Sequence, residues 1–263
     1  MITFVKYHGT GNDFILIDDR YSLQSLSSEV IRKLCDRHFG IGADGLIQLR
    51  NKDGFDFEML YYNSDGLKGS MCGNGGRCIT AFAHSLGIIK EKAIFSAFDG
   101  THEAKIISGN PYIVSLHMND VTEIEDNSEF IYLDTGSPHV VIYVEDVKAI
   151  DVIGPGREIR YNKRFKEAGT NVNFVQEVNG DIYVRTYERG VEDETLSCGT
   201  GVTAAVIASS FSERNISSGC NVFTPGGKLK VYFEIEGNRY SKIWLEGKAE
   251  KVFNGEVSTE QLI

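Results

Sequence analysis

This chain of 263 residues contains no stretch of about eighteen or more apolar residues, which excludes a membrane-spanning helix. Basic residues are in deficit: 27 Lys and Arg stand against 37 Asp and Glu, a net charge of −10. A nucleic-acid surface shows the opposite balance, so no nucleic-acid partner is expected, and the acidic excess reads as solubility. The opening MITFVKYHGTGNDF lacks a basic segment followed by a long apolar one. It is not a signal peptide, and the expected setting is cytoplasmic. No Gly-Lys-Ser/Thr phosphate loop and no His-Glu-x-x-His helix occurs. The five cysteines, Cys35, Cys72, Cys78, Cys198 and Cys220, are odd in number and widely spaced, without zinc spacing, and are expected as reduced thiols. Cys72 and Cys78 are too far apart for a Cys-x-x-Cys pair. Hydrophobic (41%) and charged (24%) contents are those of a globular chain long enough to bury a core.

What is present is a duplication. At an offset of about 125 residues, Gly9–Ile15 aligns with Asp134–Val140, and Asp56–Asn63 with Asp181–Glu188. Cys72-Gly73-Asn74-Gly75 aligns with Cys198-Gly199-Thr200-Gly201, and Phe98-Asp99-Gly100 with Thr224-Pro225-Gly226. Identity is low in each block, but the order and near-constant offset across four blocks imply two similar halves. Residues 1–119 form the expected first half and 120–252 the second. The acidic stretch Asn119–Ser128 reads as the linker.

Most of each half reads as short strands. Ile2, Phe4 and Tyr7 lie near an alternating pattern, and Ala104–His117 and Lys228–Glu236 alternate well. Glu29–His38 is amphipathic, with Val30, Leu34 and Cys35 inward. Gly75–Leu86 sets Ile79, Phe82, Ala83 and Leu86 at helical spacing, and Val202–Phe211 is apolar or small nearly all round. The expected class is α+β: two pseudo-symmetric domains, each a strongly curved, mostly antiparallel, barrel-like sheet around a central helix.

The chemistry concentrates at Cys72 and Cys198. Each precedes a Gly-rich turn that opens a predicted helix, where free N–H groups carry partial positive charge. A thiol there has its pKa lowered from about 8.5 toward neutrality, where acid–base work is most effective. Gly73, Gly75, Gly199 and Gly201 let a carboxylate approach the same N–H groups. Inversion at carbon needs a base on one face and an acid on the other, and a duplicated thiol supplies both. A cysteine taken alone is by default an inert buried residue, and that reading holds for Cys35, Cys78 and Cys220. Two copies at equivalent positions argue against it for Cys72 and Cys198. Taken alone, Asn12, Asn63 and Asn171 are turn residues, Asn74 and Thr200 are helix-start residues, Glu188–Arg189 is a surface pair, and His139 is a satisfied core histidine. GTGNDF is no dinucleotide fingerprint, because Phe14 occupies the third glycine position and a strand follows.

Met71–Cys78 and Ser197–Gly201 resemble the two cysteine motifs of the diaminopimelate epimerase family. Gly9–Phe14, Asn63–Gly66, Gly136–His139, Asn171–Phe174 and Tyr187–Gly190 match in the same order, over essentially the whole chain. The resemblance implies conversion of LL-2,6-diaminopimelate to the meso form, in lysine and peptidoglycan precursor synthesis, with no pyridoxal phosphate or metal. It implies halves of eight strands and two helices, an active site in the cleft between them, a last strand near Phe253–Ile263 returning to the first half, and a homodimer. It assigns Cys72 and Cys198 as the acid–base pair, with Cys72 as base toward the LL isomer. Gly73, Asn74, Gly199 and Thr200 become the carboxylate cradle, and Asn12, Asn63, Asn171 and Arg189 the polar contacts to substrate. His139 and Glu188 tune the thiols and orient the site, and Glu188 suits the distal ammonium. Arg clamps carboxylates with two bonds, and an amide can donate and accept toward a zwitterion. Ser137 departs from the Asn of many members, and Gly190–Thr195 is one residue longer than in some. A proline racemase-like enzyme remains an alternative, although Asn74 stands where that group carries His. A non-enzymatic redox or metal thiol protein is the other.

Overall fold

The computed structural model describes residues 1–21, 25–69, 71–212, 214 and 216–258. The chain divides into two compact units, Met1–Leu116 with Gly247–Ile263, and His117–Glu246.

The first unit opens with β1 (Ile2–Gly9) and β2 (Asn12–Asp18), joined by a two-residue turn in which Thr10 (φ 52°) and Gly11 (φ 87°) are both left-handed. That is the twist a tight hairpin needs, and it is unusual for a β-branched residue such as Thr10. Next come α1 (Ser28–Cys35), β3 (Gly45–Arg50), β4 (Phe57–Asn63), α2 (Gly73–Ser85), β5 (Lys92–Ala97), β6 (Gly100–Gly109) and β7 (Tyr112–His117). β2 runs parallel to β3 and β4 to β5; the pairs β1–β2, β3–β4, β5–β6 and β6–β7 are antiparallel. These strands enclose α2, which touches β1, β2, β3, β4 and β6. Every residue of α2 from Gly73 to Ala83 is buried. Small residues on most faces permit that enclosure, so the single apolar stripe expected for Gly75–Leu86 understates the burial. α1 covers the outside of the same sheet through Ile31, Leu34 and Cys35, which pack on Ile2, Phe4, Ile15 and Leu46. Val30 is only partly buried. Tyr7, an odd position of β1, faces the opposite side of the sheet from Ile2 and Phe4 and meets Phe82 of α2, so both faces of the strand are covered and the alternation with Ile2 and Phe4 fails there.

The second unit repeats this order. β8 (Ile124–Asp126), β9 (Ile131–Asp134), β10 (Pro138–Tyr143), α3 (Ile153–Arg160), β11 (Asn171–Val178), β12 (Asp181–Glu188), β13 (Asp193–Thr195), α4 (Gly199–Phe211), β14 (Gly219–Thr224), β15 (Gly227–Glu236) and β16 (Arg239–Lys248) follow in sequence. β10 runs parallel to β11 and β12 to β14; β9–β10, β11–β12 and β14–β15 are antiparallel, the same alternation as in the first unit. α4 is buried from Gly201 to Ser209 and touches β9, β10, β11, β12, β14 and β15. α3 lies outside, where Val152 and Ile159 join Val140, Val172, Phe174 and Tyr187. Its Gly-Pro-Gly content hides it from a periodicity reading. Pro155 suits the first turn, and Asp151 Oδ1 accepts the Ile153 and Gly154 N–H groups.

The chain ends with β17 (Glu250–Val257), antiparallel to β1 as β8 is to β9. Of the candidate returning segment, Thr259–Ile263 lie outside the described residues. Asn119–Ser128 is not a free linker: it contains β8, and Val121 bridges to Tyr240. Among the described residues the second unit has one short strand, β13, beyond the eight-strand pattern of the first. The class is α+β, built twice. No described helix is long and apolar enough to cross a membrane.

Candidate functional site

Cys72 and Cys198 are the residues that precede the first turns of the two enclosed helices. Both are extended, at φ −96°, ψ 129° and φ −115°, ψ 111°, and neither side chain caps its helix. Their carbonyls accept the first helical bonds, from Gly76 N at 2.7 Å and Val202 N at 2.9 Å. The thiols are therefore held beside a helix start whose leading N–H groups are not taken by the cap side chain, the arrangement an anion needs.

In the first unit a polar network surrounds Cys72. Its Sγ lies 3.5 Å from Asn12 Oδ1, which also accepts from Asn74 Nδ2 at 3.2 Å. Asn12 Nδ2 donates to Asp44 Oδ2 at 2.7 Å. Asn74 Oδ1 accepts from Arg77 Nη2 at 2.8 Å and from Thr10 Oγ1 at 3.4 Å, and Arg77 Nη2 also reaches Thr10 Oγ1 at 3.2 Å. Those bonds hold Thr10 in its left-handed conformation. Arg77 is fully buried and its Nε makes no hydrogen bond among the described residues. Burial lowers its pKa, opposed by the thiols of Cys78 and Cys72. Behind Asp44 stands an ion cluster: Arg37 pairs with Asp44 and with both oxygens of Asp13, and Lys6 pairs with Asp13 and Gly42 O. Burial would raise the Asp13 pKa, but Arg37 and Lys6 outweigh it and hold the carboxyl at about 2. Asn63, at the exposed end of β4, stands apart from this network, its side chain beside Gly69.

In the second unit Cys198 Sγ lies 3.4 Å from Thr200 Oγ1, and Thr200 O accepts from Thr135 Oγ1 at 2.9 Å. Asn171 Nδ2 spends its two hydrogens on Ser137 Oγ (2.8 Å) and Pro138 O (3.0 Å), and its Oδ1 accepts the Arg189 N–H at 2.9 Å. Arg189 Nη1 donates to Ala168 O at 3.0 Å, and Nη2 lies 3.5 Å from Ser137 Oγ. Ser137, Asn171 and Arg189 thus form one cluster. Glu188 accepts from Thr195 Oγ1 at 2.7 Å. His139 is fully buried; burial, and then the Arg189 charge, lower its pKa to about 3, so it is a neutral imidazole.

Four residues escaped the sequence reading: Asp44, Arg77, Asn173 and Thr186. Asn173 joins His139 to Thr186, and a Cβ on Gly201 would overlap its Oδ1, which ties it to the first turn of α4. Arg77 left one signal, a lone charge in a helix of otherwise small and apolar residues. Burial raises the pKa of the other three thiols, Cys35, Cys78 and Cys220, the first and last to about 12. Among the described residues, no three His, Cys, Asp or Glu side chains converge as metal ligands would.

The family model described as diaminopimelate epimerase matches residues 4–122 and 131–252. A diaminopimelate epimerase of Flavobacterium psychrophilum is 49% identical over 250 residues, covering 94% of this chain and 97% of that one. One from Aquifex aeolicus is 42% identical over 278 residues, covering 98% and 99%. Among solved structures, a Bacillus anthracis phenazine biosynthesis protein of the PhzF family superposes with TM-score 0.76 at 14% identity, covering 98% of this chain and 99% of that one. A probable proline racemase from Agrobacterium radiobacter gives 0.70 at 13%, covering 98% and 93%. At such identities these two share the fold.

Proposed function

Because the chain belongs to the diaminopimelate epimerase family and is an isomerase, we propose that it interconverts LL-2,6-diaminopimelate and the meso isomer without a cofactor, serving lysine and peptidoglycan precursor synthesis. One thiol takes the α-proton from one face of the carbon and the other returns a proton to the opposite face. Toward the LL isomer Cys72 is the base and Cys198 the acid, and the roles exchange in the reverse direction. The observation that carries this reading is the matched placement of Cys72 and Cys198, each uncapped at the start of an enclosed helix. Gly73, Asn74, Gly199 and Thr200 bring N–H donors to the reacting carboxylate, where charge builds as the α-proton leaves. Asn12, Asn63, Asn171, Glu188 and Arg189 hold the remaining groups. Asn171 does so through its oxygen and through Arg189, since its own donors are engaged within the chain. A site that pairs a second ammonium and carboxylate rejects amino acids lacking them, because its polar groups would be left unpaired. His139, held as a neutral imidazole, supports the site through Asn173 rather than by charge. A cytoplasmic homodimer belongs to the same reading.

The test is α-proton exchange in heavy water under reducing conditions, followed by NMR, with LL-diaminopimelate and with proline. Conversion to the meso form by the native chain, lost in both Cys72→Ala and Cys198→Ala, is the expected result. Exchange from proline alone would replace the substrate, and conversion surviving either substitution would remove the two-thiol mechanism.

A further inference from the structure

The hydrogen bonds beneath Cys72 run in one direction. Arg77 can only donate, so the end of Asn74 that faces its Nη2 at 2.8 Å is the oxygen. The nitrogen of Asn74 then faces Asn12, whose Oδ1 accepts it at 3.2 Å. At the far end Asp44 is an acceptor, and Asn12 Nδ2 donates to it at 2.7 Å. Two amides are thus strung between a guanidinium and a carboxylate. Neither can turn over without setting N–H against the guanidinium or oxygen against the carboxylate.

We propose that Asp44 is a positioning residue for Cys72: by holding Asn12 Nδ2 it keeps Asn12 Oδ1 turned to the sulfur, so the empty site carries its proton on Cys72. Asn12 Oδ1 lies 3.5 Å from Sγ, and a carbonyl oxygen can pair with S–H but not with a thiolate. A hydrogen bond made only by the neutral form opposes ionisation. It works against the helix start, which favours the thiolate. The charged and titratable groups around this point are Arg77 and Cys78 on α2, Lys6 and His8 on β1, Asp13 on β2, Arg37 after α1, Asp44 before β3, and Asp99, whose Oδ1 accepts the Met71 N–H at 3.4 Å. Asp44 is fixed from behind, since Arg37 Nη2 donates to its second oxygen at 2.7 Å. For catalysis the inference rests on the two-thiol reading. The empty enzyme is then poised for the direction in which Cys198 takes the α-proton and Cys72 gives its own, and Cys72 must pass that proton on before it serves as base toward the LL isomer.

The experiment follows the titration of Cys72 itself, in a Cys198→Ala chain, by thiolate ultraviolet absorbance and by the pH dependence of iodoacetamide alkylation. In Asp44→Asn the amide oxygen stays with Arg37 and the nitrogen meets Asn12 Nδ2, so the native orientation of Asn12 is held by the Asn74 bond alone and the turned one, with its N–H toward the sulfur, becomes accessible. The Cys72 midpoint should fall by about one pH unit or more. Asp44→Glu should keep the native midpoint. In an Asn12→Ala chain the amide is gone, and Asp44→Asn should shift the midpoint by less than half as much. An unmoved midpoint in Asp44→Asn overturns the proposal. So does an equal fall with and without Asn12, which would mean charge alone acts, or a Glu variant displaced as far as the Asn variant. Epimerisation is not read, so the two-thiol mechanism can fail in its own experiment while this result stands.

Discussion

His139 Nδ1 faces Asn173 Nδ2 at 3.1 Å, with both side chains buried. The same Nδ2 donates to Val140 O at 3.0 Å, and Asn173 Oδ1 accepts from Thr186 Oγ1 at 2.9 Å. Nδ1 is therefore the acceptor, and the imidazole proton sits on Nε2, which has no partner among the described residues. A second proton on Nδ1 would break the bond to Asn173 and bury a charge.

This gives a pH dependence of stability. Burial lowers the folded pKa of His139 from 6.5 to about 3. The unfolded chain then binds the extra proton first, so the contribution is fully present above pH 6.5 and is lost as pH falls toward 3. The slope is about 1.4 kcal/mol per pH unit, or about 2 kcal/mol between pH 7 and pH 5. Urea unfolding at those two pH values should show His139→Gln losing that much less than the native chain. Equal losses in both would mean the imidazole is not held neutral.

The two helix starts differ in how they tolerate a methyl group. A Cβ on Gly201 would overlap Asn173 Oδ1, whereas one on Gly75 would meet Ile47 Cδ1 at 3.0 Å and Met59 Cε at 3.2 Å. Ends of flexible side chains can give way; an amide bonded to His139 and Thr186 cannot without losing those bonds. Gly201→Ala should lower stability by about 1–3 kcal/mol and depress kcat, with Gly75→Ala the milder of the two. Urea midpoints and steady-state rates check the order, and a Gly75→Ala chain as damaged as Gly201→Ala would contradict it.

Much of the architecture was legible because its signals are local. The Cys-Gly pairs, the apolar residues of α4 and the turn at Phe98-Asp99-Gly100 each report on nearby backbone, and their repetition reports the two-unit plan. α3 was not legible, since Gly154, Pro155 and Gly156 read as a loop and helix formation there depends on packing against Val172 and Tyr187. Asp44 and Arg77 were hidden for another reason. Their roles arise from pairing across 30 or more residues, Asn12 with Asp44 and Thr10 with Arg77, which no spacing pattern announces. Asn173 lay inside a motif read through Asn171. Strand alternation puts both on one face, but only the fold brings His139 and Gly201 to Asn173.

Thiol reactivity should divide the five cysteines. Burial raises the pKa of Cys35, Cys78 and Cys220, the first and last to about 12, and a thiol rather than a thiolate does not react. Brief iodoacetamide treatment of the folded chain at neutral pH, followed by peptide mass mapping, should label Cys72 or Cys198. The other three should be labelled only after denaturation. Labelling of Cys35 or Cys220 at comparable rates in the folded chain would show that burial does not protect them.

Ser137 should act on binding and not on chemistry. Its Oγ receives Asn171 Nδ2 at 2.8 Å and lies 3.5 Å from Arg189 Nη2, so it sets the two residues proposed to hold the distal groups of the substrate. Ser137→Ala leaves a buried amide donor without its acceptor, at a cost of about 1–3 kcal/mol, and frees the guanidinium to wander. If that cost falls equally on the bound substrate and the transition state, KM rises by about tenfold while kcat stays near native. Ser137→Asn restores a carbonyl acceptor at the same point and should recover most of the loss. A fall in kcat at unchanged KM would instead put Ser137 in the proton-transfer machinery, through Pro138 and His139 to the start of α4.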